Sequence, residues 1–180
     1  KGEFRLAVVG GGAGGVELAL STQHRLRSLL EGQGDAPSRL RYELLTDSRM
    51  LFPTHNVGVR SRFERVLRER GIDVLLSSRV TAVEQHGVQV EGGGFRAADA
   101  VLWVTSAGAP EWPRASGLAV DADGFIRVDS SLRSLSHPEV FAAGDVASLP
   151  DPRPKSGVFA VRQGPVLTEN VEAVRHFTEL

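Results

Sequence analysis

The sequence predicts an α/β protein in which helices pack on a parallel sheet, with a small antiparallel β layer added. A β-prone run, residues 4–9 (FRLAVV), leads directly into a glycine cluster and then into a segment with apolar residues at helical spacing. Strand, glycine turn and helix in that order open a βαβ unit, whose strands are parallel. A hairpin pattern further along the chain supplies the antiparallel layer.

The composition sets limits on the class of protein. The 180 residues are 41% hydrophobic and 24% charged, which is typical of a soluble globular chain of one domain, or one domain plus part of another. The net charge of −1 predicts no nucleic-acid partner, since phosphate-backbone binding needs a clustered positive surface. There is no cysteine, which excludes disulfides and thiolate chemistry within these residues and fits the cytosol.

The sequence shows no membrane-spanning stretch, no signal peptide and no initiating methionine. No apolar stretch approaches the roughly 18 residues that a membrane-spanning helix needs, and no signal peptide is visible. The chain opens with Lys1 rather than methionine, and its first strand follows almost at once. We therefore expect a processed or excised segment of a longer protein.

The first seventy-six residues predict two helices and three strands. A first helix is expected over residues 16–30, and strands are expected over residues 41–45 and 73–76. Asn56 is a good N-cap for a second helix that runs to about residue 70. Gly71 is well placed to end that helix in a left-handed conformation.

A hairpin and a buried strand complete the first part of the chain. Residues 80–90 predict two short strands around His86 and Gly87, followed by a turn at residues 92–94. Residues 100–104 (AVLWV) form a continuous apolar run, as in a strand that is buried on both faces. Trp103 is accordingly expected in the core.

The character of the chain changes near residue 107. A strand is predicted over residues 125–128, and an apolar run over residues 140–143 is closed by Gly144 and Asp145. A final helix is predicted over residues 158–177. It is expected to break or restart at Gly164 and Pro165, because proline cannot donate the hydrogen bond that continues a helix.

Three glycines after the first strand form the pattern G-x-G-x-x-G. Gly10 permits the sharp turn, Gly12 allows a pyrophosphate to approach the backbone, and Gly15 lets the helix pack on the sheet. The N–H groups at the start of the helix favour an anion. Because a strand precedes the pattern and a helix follows it, the sequence predicts dinucleotide binding; the alternative is a plain tight turn.

The end of the second strand offers two candidate groups for the adenine ribose. An acid there favours NAD through the 2′-hydroxyl, whereas an arginine favours NADP through the 2′-phosphate. Asp47 and Arg49 are both present, so the cofactor preference stays open. These two side chains could also simply solvate a loop.

Three segments resemble one known superfamily. Residues 10–19 (GGGAGGVELA) resemble the second dinucleotide loop of the pyridine nucleotide-disulfide oxidoreductases, in particular of type II NADH dehydrogenases and sulfide:quinone reductases. Residues 140–147 (VFAAGDVA) are similar to the FAD-binding G-D motif of these proteins. Residues 152–165 (PRPKSGVFAVRQGP) most resemble flavoprotein modules that are associated with selenide, water dikinase.

The resemblance implies a Rossmann-like, three-layer FAD/NAD(P)-binding fold. Residues 1–108 would be the NAD(P)-binding domain, and residues 109–180 the C-terminal part of a split FAD-binding domain. The whole protein would be an FAD-dependent NAD(P)H oxidoreductase that transfers a hydride from NAD(P)H to FAD, then electrons to a quinone or another acceptor. It would be cytoplasmic or peripheral to a membrane. The 180 residues alone, without the FAD loop of the missing half, are expected to be inactive.

Two other functions are compatible with the glycine loop. The chain could be a non-catalytic, NAD(H)-binding regulatory module, although such a module has no need of a flavin-binding motif. It could also be a degenerate domain that is kept for assembly. Three departures from the family matter: the chain has one G-x-G-x-x-G pattern where the family has a second for FAD, Val104-Thr105-Ser106 replaces Ala-Thr-Gly, and Thr46 stands where a glutamate is usual; the redox cysteine pair is missing as well. The last points away from disulfide substrates.

Several side chains carry two interpretations. Glu17 would lie near the nicotinamide or would only favour the helix dipole in the first helical turn. Lys155 would meet flavin or quinone or be a solvated loop residue, and Gln163 would line the flavin or cap its helix. No side chain is assigned as a catalytic acid or base, because the cofactors supply the chemistry. The predicted cofactor-binding residues are Gly10, Gly12, Ala13, Gly14, Gly15, Glu17, Thr46, Asp47, Arg49, Ser106, Gly144, Asp145 and Gln163.

No metal site is predicted. The chain has five histidines, and none of them pairs with another ligand at a spacing typical of metal sites. They are His24, His55, His86, His137 and His176.

Overall fold

The computed structural model describes residues 2–178, with side chains through residue 174, and divides the chain into two compact units. The first unit is Lys1–Thr105 and the second is Ser106–Leu180. Among the described residues, no helix combines the length and apolar character that crossing a bilayer would require.

The first unit is built on a four-stranded parallel sheet with the strand order β3-β2-β1-β7. Its elements in chain order are β1 (Phe4–Val9), α1 (Ala13–Gly32), β2 (Leu40–Leu45), α2 (Val57–Glu69), β3 (Ile72–Leu75), β4 (Val80–Glu84), β5 (Gly87–Val90), β6 (Gly94–Ala97) and β7 (Ala100–Trp103). A short 3-10 helix, Pro37–Arg39, precedes β2. Parallel pairing places Val9 beside Leu45 and Trp103, so the three strands end together at one edge of the sheet.

Successive side chains of β1 enter two different core clusters, one on each face of the sheet, as expected of a strand inside the sheet. Leu6 and Val8 belong to a core cluster that includes Val16 of α1 and Leu67 of α2. Ala7 and Val9 belong to a second cluster that includes Val88 of the antiparallel layer. Both faces of the strand are therefore covered, and burying each valine contributes about 1.5–3 kcal/mol.

Helix α2 begins and ends close to the residues that the sequence predicts. The Asn56 side chain accepts a hydrogen bond from the N–H of Val59 at 3.0 Å, as an N-cap does. The helix ends at Glu69, and Gly71 follows with φ +70°. The predicted cap and the predicted left-handed glycine are both confirmed.

The antiparallel layer has three strands, in the order β4-β5-β6, rather than the two that were predicted. The third, β6, was missed because its four residues are all exposed and it follows two glycines in a turn. Arg96 of this strand hydrogen-bonds the carboxylate of Glu43 on β2. This hydrogen bond raises the pKa of Arg96 and ties the layer to the parallel sheet.

The prediction that residues 100–104 are buried on both faces is wrong. β7 is the last strand of the sheet and pairs only with β1 among the described residues. Trp103 is 51% exposed and does not lie in the core. An edge strand has fewer neighbours than a central one, and an apolar run cannot distinguish the two positions.

The second unit contains little regular sheet. Its elements are α3 (Trp112–Ala115), β8 (Ile126–Arg127), β9 (Ala147–Ser148) and α4 (Gly157–Thr178), with a 3-10 turn at Gly144–Val146. Strands β8 and β9 pair in parallel over two residues each, so the strand predicted at residues 125–128 is shorter than expected. Residues 140–143 form no strand; Phe141 makes only a single bridge to Arg133. The small core of the unit is formed by Ile126, Val128, Leu132, Ala142 and Ala147.

The last helix, α4, is continuous. The predicted break at Gly164 and Pro165 is wrong, because the helix includes both residues. Proline removes the hydrogen bond that would reach the carbonyl of Val161. Val161 is an exposed residue, so water can replace the missing donor without ending the helix.

Candidate dinucleotide-binding site

The turn after β1 brings the backbones of three segments into close contact. The N–H of Gly10 donates to the carbonyl of Leu45 at 2.8 Å. A β-carbon on Gly10 would lie 2.1 Å from the carbonyl oxygen of Val104, and φ is +133° there. A β-carbon on Gly15 would lie 1.9 Å from the carbonyl oxygen of Gly10. Both contacts are with backbone, so neither position accepts another residue without movement of a strand or of α1.

Gly12 differs from its neighbours because it faces open space. A β-carbon at this position would meet no atom within 4 Å. Gly12 is the N-cap of α1, and its N–H and those of Ala13, Gly14 and Gly15 donate to no carbonyl among the described residues. The free N–H groups and the positive end of a 20-residue helix together suit the binding of an anion such as a diphosphate.

Glu17 is not in the first turn of α1. The helix begins at Ala13, three residues earlier than predicted, so Glu17 is its fifth residue, and the first turn contains no acid. Because glycine has a low helix propensity, Gly14 and Gly15 did not indicate that the helix already begins at Ala13. The dipole interpretation of this exposed side chain is therefore wrong.

Gly11 is part of the same turn but is not among the residues that the sequence predicts for the site. Its carbonyl accepts a hydrogen bond from the N–H of Phe52 at 3.0 Å. A β-carbon here would lie 2.8–2.9 Å from three side-chain atoms of Thr46. The available signal was the unbroken run of three glycines, since a G-x-G turn alone does not require glycine at its middle position.

The loop after β2 separates a buried residue from two exposed ones. Thr46 is 6% exposed, its hydroxyl accepts from the N–H of Ser48 at 3.3 Å, and its side chain faces Gly11. Asp47 and Arg49 are exposed, and their side chains have no hydrogen bond or ion pair within the described part of the chain. Thr46 therefore shapes the loop, whereas Asp47 and Arg49 are available to a ligand.

The predicted site residues fall into two groups, one in each unit. The glycine loop, Glu17 and residues 46–49 belong to the first unit. Ser106, Gly144, Asp145 and Gln163 belong to the second, in which Ser106 is exposed.

In the second unit, Gln163 holds the Gly144 turn. The N–H of Gly144 donates to the side-chain oxygen of Gln163 at 2.5 Å, and Gly144 has φ +73°. The helix α4 begins at Gly157, so the interpretation of Gln163 as a helix cap is wrong. The exposed carboxylate of Asp145 has no partner among the described residues.

Lys155 has partners within its own unit. Its ammonium group donates to the carbonyl of Ala147 at 2.5 Å and lies 3.9 Å from the centre of the Phe125 ring. This cation–π contact and the half-buried position show that Lys155 is not a freely solvated loop residue.

No metal centre is found in the described side chains, where no three histidine, cysteine, aspartate or glutamate residues converge. His24, His55, His86 and His137 fall within that part of the chain. The side chain of His176 lies outside it.

Comparison with known families identifies the group to which the chain is related. The family model described as pyridine nucleotide-disulphide oxidoreductase matches residues 1–164. The chain belongs to this family.

Relatives of known name share about three residues in ten with this chain. An NADH dehydrogenase-like protein of Mycobacterium tuberculosis is 31% identical over 144 residues, which cover 79% of this chain and 35% of the relative. The type II NADH:quinone oxidoreductase of Haemophilus influenzae is 27% identical over 150 residues, covering 82% of this chain and 34% of the relative. The chain thus spans about a third of the length of the curated relatives it matches.

Solved structures support the fold. A water-forming NADH oxidase from Lactobacillus brevis, bound to NADH, superimposes with a TM-score of 0.71 at 20% identity, over 93% of this chain and 36% of the other. The NDH2 of Plasmodium falciparum in complex with NADH gives 0.71 at 18% identity, over 81% and 32%. The predicted α/β, Rossmann-like FAD/NAD(P)-binding fold is confirmed.

Proposed function

We propose that the first unit binds a pyridine nucleotide, with the diphosphate over Gly12 and the N-terminus of α1. The observation that carries this proposal is the combination of unused N–H groups and open space at Gly12. The family membership supports it, as do relatives that are named NADH dehydrogenases and structural neighbours that are described as bound to NADH. Residues 1–108 are proposed as the NAD(P)-binding domain.

The proposal extends to the whole protein, which we infer to be an FAD-dependent NAD(P)H oxidoreductase. When bound, FAD would accept a hydride and pass electrons to a quinone or another acceptor. Residues of the second unit fit this group: Gly144 forms a left-handed turn (φ +73°) next to Asp145, and the carboxylate of Asp145, which has no partner among the described residues, can accept hydroxyl hydrogen bonds. Gln163 would keep the Gly144 backbone in place. Residues 109–180 are therefore proposed as part of an FAD-binding domain.

The ribose contact decides between NADH and NADPH. Asp47 can accept hydrogen bonds from the two ribose hydroxyls, whereas Arg49 can donate to a 2′-phosphate. Both side chains are exposed on the same loop and have no other partner among the described residues. The glycine loop binds the diphosphate in either case, so the two side chains set preference and not binding itself.

Titration calorimetry with NADH and, separately, NADPH tests the proposal. We expect saturable binding of at least one. If Asp47 contacts the ribose, NADH binds more tightly and Asp47→Asn weakens it about tenfold. If Arg49 contacts a phosphate, NADPH binds more tightly and Arg49→Gln weakens it by a similar factor. A folded chain that binds neither nucleotide at millimolar concentration contradicts the proposal.

Flavin content separates the oxidoreductase from a purely regulatory NAD(H)-binding module. These 180 residues contain a single G-x-G-x-x-G pattern, so we expect the purified chain alone to lack the yellow flavin spectrum. The whole protein should contain FAD that NAD(P)H bleaches. A whole protein that binds NADH but contains no flavin favours the regulatory module.

A more specific partner is proposed from the likeness of residues 152–165 to flavoprotein modules associated with selenide, water dikinase. The whole protein is then expected to bind such an enzyme in a pull-down with both proteins purified. No detectable complex at micromolar concentrations argues against this partner.

A further inference from the structure

Phe52 has a backbone conformation that is unfavourable for its residue type. Its φ is +49°, in the left-handed region where a β-carbon contacts the following carbonyl oxygen. The residue is nevertheless 4% exposed and lies next to the glycine loop. A strained bulky residue persists only where its surroundings hold it, and such residues concentrate at functional sites.

Contacts on all sides hold Phe52 in this conformation. Its N–H donates to the carbonyl of Gly11 at 3.0 Å, and its own carbonyl accepts from the N–H of His55 at 2.9 Å. The ring lies 4.8 Å from the Phe63 ring of α2 and 5.3 Å from the His55 ring, measured between centroids. Both backbone polar groups and the side chain are therefore used.

The hydrogen bond to Gly11 also fixes the next N–H group. The peptide between Gly11 and Gly12 is planar and trans, so its carbonyl and its N–H point in opposite directions. While the Gly11 carbonyl is directed at Phe52, the N–H of Gly12 is directed away from it. That N–H has no acceptor among the described residues and is one of the groups assigned above to the diphosphate.

We propose that Phe52 is a positioning residue for nucleotide binding: its N–H holds the Gly11 carbonyl and so keeps the Gly12 N–H directed at the diphosphate. The inference rests on the proposed function and adds a residue that lies outside the glycine pattern. The alternative is that Phe52 only fills space between the loop and α2.

The same contact joins two parts of the site. Gly11 is held on one side by Phe52 and contacts the side chain of Thr46. Thr46 and Phe52 belong to the loop after β2, which also carries Asp47 and Arg49. The loop after β2, proposed to contact the ribose, and the glycine loop, proposed to bind the diphosphate, are therefore fixed relative to each other before a ligand binds.

The first experiment removes only the N–H. A backbone ester at position 52, with phenyllactic acid in place of phenylalanine, keeps the ring but cannot donate. In the unaltered chain we expect a scalar coupling across the hydrogen bond, from the Phe52 nitrogen to the Gly11 carbonyl carbon. The ester should bind NADH about five- to tenfold more weakly, with the circular dichroism unchanged. The downfield shift of the Gly12 amide proton on adding NADH should also be reduced.

Two results would overturn the inference, and they differ from failure of the proposed function. The inference is wrong if the coupling is absent, or if the ester binds NADH as tightly as the unaltered chain with the same Gly12 shift. If the unaltered chain binds neither NADH nor NADPH, the proposed function fails and the role of Phe52 fails with it. A scalar coupling in that case would show that the hydrogen bond from Phe52 to Gly11 forms but has no role in nucleotide binding.

Side-chain variants provide a second test. Phe52→Leu keeps the N–H and an apolar side chain, and should weaken NADH binding less than Phe52→Gly does. Phe52→Gly tolerates the backbone conformation but loses the ring, and should weaken NADH binding at least about threefold. Leu132→Gly is the matched control, because Leu132 is also left-handed (φ +66°) and buried, in the second unit. It should lower the melting temperature without changing NADH affinity; if Phe52→Gly does the same, Phe52 only fills space.

Discussion

Replacing Gly12 with alanine should separate nucleotide binding from stability. A β-carbon at this position would meet no atom within 4 Å, and φ −81° with ψ −175° suits any L-residue. Alanine reduces the freedom of the unfolded chain but is a poorer N-cap than glycine, so the two effects oppose each other and the free energy of unfolding should change by less than about 1 kcal/mol. The methyl group would nevertheless occupy the space in which a diphosphate approaches the free N–H groups. Loss of one hydrogen bond to a charged oxygen costs about 1.5–3 kcal/mol, so NADH should bind about 10- to 150-fold more weakly.

Gly15→Ala is the matched variant, with the opposite expectation for stability. Its β-carbon would lie 1.9 Å from the carbonyl oxygen of Gly10. That is about 1.5 Å short of ordinary contact, and no side-chain rotation can relieve a clash with backbone. The helix α1 must move away from β1, at a cost of about 1–3 kcal/mol. For a unit of this size the melting temperature should fall by ~5–20 °C.

The assays are thermal unfolding followed by circular dichroism and calorimetric titration with NADH, on both variants and the unaltered chain. If Gly12→Ala is destabilised as much as Gly15→Ala, the space at Gly12 is not open. If Gly12→Ala remains stable and binds NADH with unchanged affinity, the diphosphate does not lie over Gly12. Either outcome refutes the reasoning from the glycine contacts.

Two further predictions concern the second unit. Gln163→Leu leaves the half-buried N–H of Gly144 without an acceptor, so the free energy of unfolding should fall by about 1–2 kcal/mol. Gln163→Glu keeps an acceptor and should change the free energy of unfolding little. Equal melting curves for the two variants would contradict this prediction. Hydrogen bonds, first that of the Ser131 hydroxyl, lower the pKa of Asp129 below its usual 3.8. The stabilisation is therefore present above the ordinary carboxyl pKa of 3.8 and is lost as the pH falls through the lowered pKa, and Asp129→Asn should flatten the acid side of the unfolding profile. An unaltered profile would show that this carboxylate contributes nothing.

The sequence predicted those parts of the fold in which local chemistry and tertiary structure agree. The cap at Asn56 and the left-handed Gly71 follow from side-chain hydrogen bonding and from the absence of a β-carbon, and both were found. The glycine pattern placed the turn correctly because its constraints come from the adjoining strand and helix. The same glycines concealed the start of α1 at Ala13.

Other features depended on distant parts of the chain. The apolar run that ends at Trp103 could not show that its strand lies at the edge of the sheet. The roles of Gly11 and Thr46 depend on a contact between loops that are 35 residues apart in the chain, since Gly11 faces Thr46. The hydrogen bond from Gly144 to Gln163 likewise joins residues 19 positions apart. Such pairings are invisible to periodicity, which reports only on neighbours along one element.

The strand order has a consequence for the synthesis of the chain. β1 pairs with β2 on one side and with β7 on the other, and the N–H of Arg5 bonds to Asp99, 94 residues later. Ribosomes add about 5–20 residues per second, so β1 waits roughly 5–20 s before its second partner is made. The hairpin strands β4 to β6 pair locally and can form in the meantime. A nascent chain that stops short of Trp103 would leave β1, whose last four residues are buried in the fold, unpaired on one side and open to association with other chains.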